Sequence, residues 1–252
     1  MKDFIIRNKK ITLLISIFIF IIIWQVLSML FNPLIIPSPM ETTKTLFILM
    51  YKREFWMDII ISMGRGLLGF LLAVIIGTPL GFFMGLREEI ETFFHPFLVL
   101  AQTAPTVSWL ILGWLWFGTG DGAAAIFIIF IIVIPFIIVN VMQGTKQLDI
   151  SLMEMAKVYK LPLGKKIFHI YIPQIFPYFM AGCSIGSGLT WKGVAMAELL
   201  TARTGIGAAM GVARINLEIG QVFVWTGILV FLGHGFSKLV KHIEVTVTRK
   251  WW

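Results

Sequence analysis

Six stretches of roughly twenty or more mainly apolar residues run through this chain, and a segment of about that length crosses the ~30 Å hydrocarbon core of a bilayer as one helix. Ile11 to Leu30 is the first, with Gln25 as its most polar member. Behind Lys2, Arg7, Lys9 and Lys10 it has the charge pattern of a secretory signal, but the apolar run is too long and no small-residue cleavage site follows, so it reads as a retained membrane helix. The others are Ile59 to Leu86, Pro96 to Phe117, Ala123 to Met142, Gln174 to Leu200 and Gly220 to Lys238. The expected fold class is all-α: a polytopic membrane protein with six transmembrane helices. Of the 252 residues, 58% are hydrophobic and 13% charged, against about 25% charged in an ordinary soluble domain. That balance excludes a soluble enzyme, a disordered tail and a nucleic-acid-binding module. One cysteine, Cys183, excludes a disulfide framework and a multi-cysteine metal cluster. Six spans use about 120 residues, and short loops take the rest. A single transmembrane domain is therefore expected over 1–252, with an extra N-terminal span and outer loop at 1–57, core spans over 58–238 and a cytoplasmic tail from 239 to 252.

In a membrane protein the net charge of +8 matters through its placement. Four Lys or Arg precede the first span, Arg87 follows the second, five lie between Gln143 and Ile170 and four follow Phe236, so 14 share one side. Lys44, Lys52, Arg53, Arg203 and Arg214, five in all, share the other. The excess places both termini in the cytoplasm. Within the second span Gly69, Ala73, Gly77, Gly81 and Gly85 set a small residue at every fourth position, on one face where a neighbouring helix can approach closely. Packing inside one subunit is the preferred reading over a subunit interface.

The longest polar stretch, Gln143 to Ile170, carries Lys146, Lys157, Lys160, Lys165 and Lys166. Ser151 followed by Glu154 has the form of a capping box, and the residues from Leu152 to Leu161 suit a short helix ended by Pro162 and Gly164. Leu152, Met155, Ala156 and Tyr159 give that helix an apolar face, which something in the cytoplasm should receive.

Glu154, Met155, Ala156, Lys160, Ile170, Ile172 and Pro173 fall on the spacing of the E-A-A, G, I-x-L-P loop, and here the chain resembles the permeases of ATP-binding cassette importers. Glu154, Ala156, Ile170 and Pro173 match, whereas Met155, Lys160 and Ile172 stand where that pattern has Ala, Gly and Leu. Pro37-Ser38-Pro39 with Thr42, Ser62 with Arg65, Gly69-Phe70, Gly77 to Gly81, Trp116-Phe117-Gly118, Pro173 to Pro177, Trp191, Ala197-Glu198 and Gly205-Ile206-Gly207 also fall in the order of the nitrate, sulfonate, taurine and bicarbonate branch. The resemblance implies a type I importer permease in the plasma membrane. Its partners would be a second permease copy, two cytoplasmic ATPase subunits and an extracytoplasmic binding protein. It also implies that Glu154, Met155, Ala156, Tyr159, Lys160, Gly164, Ile170, Ile172 and Pro173 form the ATPase contact. The chain has no G-x-x-x-x-G-K-[ST] phosphate loop; no cofactor is expected on it, and ATP and Mg are expected on the partner. With Lys160 where the pattern has Gly, Leu161-Pro162 is expected to end the loop helix.

Arg65 and Lys192 fall inside spans at similar depth toward the outside, where charge is costly and marks a path or a pair. Either they lend positive potential to a path for a small anion, lined with Trp191 and Glu198, or Glu198 or Asp58 neutralises them and Lys192 snorkels. On one straight helix Lys192 and Glu198 point about 240° apart and cannot pair. Trp191 and Trp109 read as interfacial anchors or as stacking platforms. Three rivals are weighed. Gly182-Cys183-Ser184-Ile185-Gly186 with His234 has the letters of a serine hydrolase elbow, but within a helix the motif lacks its mechanical meaning. A channel or secondary carrier would show inverted repeats or more midplane charge. The third keeps the importer class with a pyrimidine or vitamin-type precursor as substrate. His95, His169, His234 and His242 show no metal-ligand spacing.

Overall fold

Small residues at every fourth helical position let two backbones touch, and this contact organises the bundle. The computed structural model describes residues 9–32, 34–120 and 122–249, with Lys9 and Lys10 by backbone alone. Lys2, Arg7 and Lys250 of the charge pattern lie outside the described residues. The helices are α1 (Lys9–Leu30), α2 (Pro39–Met50), α3 (Arg53–Leu86), α4 (Glu88–Thr103), α5 (Thr106–Phe117), α6 (Ala123–Lys146), α7 (Ile150–Val158) and α8 (Leu163–Lys166). A π-helical turn, Ile167–Tyr171, joins α8 to α9 (Ile172–Thr201), and α10 (Ile206–Ile215) and α11 (Ile219–Thr248) follow. The fold is all-α; extended pairing among the described residues is one isolated bridge, Gly120 to Ala202.

Helix α6 is the centre, because α3 and α9 pack on two of its faces. A Cβ on Gly81 would stand 2.6 Å from the Ile138 carbonyl oxygen, and one on Gly77 would stand 3.2 Å from Ile137. Gly69 meets Ile129, Gly85 meets Thr145 and Ala73 is fully buried, so the whole stripe spends itself on α6 within this subunit. On the other side a Cβ on Gly182 of α9 would lie 3.1 Å from the Phe136 carbonyl oxygen. Sandwiched this way, α6 buries Ile128, Ile129, Val133, Ile137 and Val141 almost completely. Most other helices expose long apolar side chains, as lipid rather than water requires. Helix α1 is peripheral: Trp24 stacks on Phe223 of α11 with ring centroids 5.8 Å apart, and its Nε1 donates to the Pro37 carbonyl at 3.0 Å. Pro37-Ser38-Pro39 then starts α2, with the Ser38 hydroxyl accepting from the Glu41 N–H at 3.1 Å and Pro39 in the first turn.

One expectation about spans needs correction. Pro96 to Phe117 is two helices, α4 and α5, bent by 100°. Pro105 cannot donate a backbone hydrogen bond and pushes Ala104 to an extended ψ of 133°, which ends α4. Gln174 to Leu200 lies within one helix of 30 residues, α9, which buries Gly182, Ser187, Thr190, Gly193 and Glu198 against its neighbours. Among the described residues four helices are long and apolar enough to cross a membrane, or five if the bent pair counts as one.

Candidate functional site

Two regions hold the residues picked out by sequence. The first is the loop from Gln147 to Tyr171. Asp149, not Ser151, caps α7: its Oδ1 accepts the Ser151 N–H at 2.8 Å and the Ser151 hydroxyl at 2.6 Å. The Ser151 hydroxyl first, then its N–H, holds the Asp149 carboxyl below the usual carboxylate range. The Asp149 N–H donates to Gln174 Oε1 at 2.8 Å, and the Tyr178 hydroxyl donates to Gln147 Oε1, so the loop is tied back to α9.

The end of α7 also differs from expectation. Lys160 itself adopts the left-handed conformation, with φ of +50°. The Lys160 N–H donates to the Lys157 carbonyl and the Leu161 N–H to the Ala156 carbonyl, each at 3.0 Å, which closes a Schellman turn. Leu161-Pro162 does not end the helix. Pro162 instead begins α8, and Gly164 lies inside α8 rather than terminating α7. A lysine in this conformation is strained by about 1–2 kcal/mol. Lys160→Gly is therefore expected to raise the thermal midpoint of the purified protein by roughly 2–4 °C; an unchanged or lower midpoint would show that the turn carries no such strain.

Of the expected ATPase-contact residues, Ala156 and Ile170 are buried in this chain, at 1% and 4% exposure. Ile172 and Pro173 are half-buried, while Glu154, Met155, Tyr159, Lys160 and Gly164 are exposed. The apolar face of α7 is thus shared, with Met153, Ala156 and Leu161 turned inward. Tyr159, named from sequence, is 73% exposed, but sequence missed what stands beside it: Val158 is 78% exposed and Leu163 75%, with Ile150 and Phe168 comparably open. Their signal was the combination of large apolar side chains with Lys157, Lys160, Lys165 and Lys166.

The second region lies at the other end of the bundle. Arg65 Nη1 donates to Glu198 Oε1 at 2.9 Å and to the Thr204 carbonyl at 2.6 Å, and Nη2 donates to Thr204 Oγ1 at 3.0 Å. Glu198 Oε2 accepts the Ser62 hydroxyl at 2.6 Å and the Gly207 N–H at 3.1 Å. Ser62 Oγ accepts the Ile206 N–H at 2.8 Å, and Asp58 Oδ1 accepts the Gly205 N–H at 2.7 Å. The side chains of Asp58, Ser62 and Glu198 thereby take the N–H groups that open α10, which no intrahelical carbonyl can. Gly205, at φ +102°, and Gly122, at φ +77°, admit this geometry: a Cβ on the first would strike Glu198 and on the second Arg65. Arg65 and Glu198 are both buried, so the pair ties α3, α9 and α10 together.

The remaining candidates fall elsewhere. Asp58 engages backbone rather than a cation. Trp191, 5% exposed, lies against Gly233 and edge-on to Phe236 at 6.2 Å, which makes it neither an interfacial anchor nor a stacking platform. Lys192 is exposed, and Ser184 sits in unbroken helix, so Gly182 to Gly186 forms no elbow. Helical periodicity could have found the Arg65 network, since Asp58, Ser62 and Arg65 are spaced four and three residues apart on one face of an apolar run. Thr204 and Gly122 had no comparable signal.

The chain is thus a helical bundle with a buried polar tie at one end and a lysine-rich, partly apolar loop at the other. Residues 77–244 match the binding-protein-dependent transport system inner membrane component family, and the chain belongs to it. It is a permease subunit of an ATP-binding cassette importer. The nitrate import permease NrtB of Synechococcus elongatus is 28% identical over 242 residues, covering 84% of this chain and 86% of that protein. The taurine transport system permease TauC of Escherichia coli is 25% identical over 190 residues, covering 73% and 69%. A crystal structure of an amino acid ABC transporter with histidines shares the fold, with a TM-score of 0.60 at 15% identity over 82% of this chain and 96% of that one.

Proposed function

We propose that residues 1–252 form one permease domain, that two copies make the pore, and that the substrate is a small anion of the nitrate, sulfonate or taurine type. Kinship with NrtB and TauC supports the substrate class. Both termini lie in the cytoplasm in this reading, in keeping with the 14 to 5 distribution of Lys and Arg. The loop from Gln143 to Pro173 then faces the cytoplasm and receives an ATPase subunit, which binds the ATP and Mg. An extracytoplasmic binding protein delivers the anion. ATP-driven closure of the two ATPases draws the paired loops together and rocks the spans outward-open; hydrolysis resets the inward-open state.

The exposed apolar side chains of Val158, Tyr159 and Leu163 among lysines carry this reading, because such a patch on a water-facing loop marks a protein contact. Glu154 and Met155 extend the surface, with Lys160 and Gly164 at the turn and Ile172 and Pro173 behind it. Val158→Asp combined with Tyr159→Asp is expected to cut the ATPase recovered with the tagged permease about tenfold or more, and to abolish uptake, while the permease still reaches the membrane. Glu154→Lys is expected to act the same way more weakly. Full ATPase recovery with normal uptake in both variants would refute the assignment.

A further inference from the structure

Arg65 and Lys192 begin at one level of the bundle, because a Cβ on Gly66 would lie 3.1 Å from Val194 and 3.5 Å from Thr190. From there they part. Arg65 runs outward into its buried contacts with Glu198 and Thr204, so its charge is taken up inside the wall. Lys192 is exposed and makes no hydrogen bond or ion pair among the described residues.

The surroundings of α9 prevent Lys192 from turning inward. Trp191, Gly193 and Val194 beside it are all buried, with Trp191 against Gly233 and Phe236 of α11 and Gly193 against Ile129 of α6. The face left open runs through Ala181, Ser184, Gly188, Lys192 and Met196, and a Cβ on Gly188 would have nothing within 4 Å. Lys192 precedes the outer end of α9, Thr201, by nine residues, about 14 Å along the axis. That is farther than its four-carbon stem can carry the ammonium toward the interface. A charge held at that depth with no partner among the described residues requires water or an anion.

We infer that Lys192 faces the aqueous translocation path and selects for anionic substrate, while Arg65 and Glu198 brace the wall behind it. This rests on the reading of the chain as an importer permease for a small anion. The ammonium supplies a compact point charge to a passing nitrate or sulfonate group, with the Ser184 hydroxyl and the bare backbone at Gly188 further along the same face. It attracts without immobilising, as transport demands.

The test uses the permease with its ATPase and binding protein in proteoliposomes, with nitrate and ethanesulfonate as probes. Lys192→Gln is expected to assemble normally and to lose about tenfold of the uptake rate at subsaturating anion, Lys192→Glu about a hundredfold, and Lys192→Arg less than about threefold. In parallel, Lys192→Cys is made together with Cys183→Ser, which removes the chain's other thiol, a buried one. A negatively charged, membrane-impermeant methanethiosulfonate is expected to label it in membranes, more slowly when the transported anion is present. Normal uptake by Lys192→Gln, failure of that variant to assemble, or absence of labelling at position 192 overturns the inference while the importer reading stands. If the parent protein takes up neither probe with ATP, the anion reading falls and the inference falls with it. ATP-driven uptake of nitrate or ethanesulfonate that is lost in Lys192→Gln supports both.

Discussion

Arg65→Met is expected to destabilise the permease by about 3–5 kcal/mol, because it strands the fully buried carboxylate of Glu198 without its cation. Glu198→Leu should cost a similar amount by stranding the guanidinium. The double variant should be markedly more stable than the sum of the singles predicts, since replacing both members of a buried pair by apolar groups removes both uncompensated charges. Recovery will be incomplete. Ser62 and the Gly207 N–H lose their acceptor, and each unsatisfied buried group costs about 1–3 kcal/mol. Thermal midpoints in detergent for the parent, the two singles and the double close the cycle. Strictly additive losses would show that the ion pair is not what stabilises this end of the bundle.

Gly81→Leu should be among the most damaging changes on the α3 stripe. A Cβ there would already meet the Ile138 carbonyl oxygen at 2.6 Å and Val141 at 3.0 Å, so the larger side chain forces α3 from α6 by moving backbone. Overpacking of this kind costs about 1–3 kcal/mol where side chains can yield, and more where they cannot. Gly64 is the control, since a Cβ there has nothing within 4 Å. Gly64→Ala is expected to leave stability unchanged or raise it by up to about 1 kcal/mol through helix propensity. Yield of folded protein and thermal midpoint report both, and equal losses in the two variants would mean that contact with α6 is not what the glycines serve.

Much of this was legible in the residues because membrane constraints are long and repetitive. Apolar runs of twenty residues, glycine every fourth position and lysines crowded into one loop each survive without knowledge of tertiary contacts, and the all-α class follows from them; the family rested on a resemblance, carried by Glu154, Ala156, Ile170 and Pro173 at the spacing of the importer loop. What was hidden depended on local geometry. The break at Pro105 lies inside an apolar run that length alone reads as one span. The left-handed Lys160 defies residue preference because the turn is closed by backbone hydrogen bonds that accept any side chain at a cost. Ala156 belongs to the sequence pattern of the loop yet faces inward, because a helix lying on the bundle must bury one of its own faces before it can offer another. The partner of Arg65 lay 133 residues away and was one of two acids considered; a contact between distant helices leaves no periodic trace.

That separation also sets a timetable for biosynthesis. At about 5–20 residues per second, Arg65 is added to the chain roughly 7–27 s before Glu198. Throughout that interval α3 carries a cation whose Glu198 partner has not been made, and the apolar remainder of the helix must offset its insertion cost. The tie closes only when α9 has brought Glu198 and the start of α10 has brought Thr204 and Gly207, so the ends of three helices are joined late in synthesis.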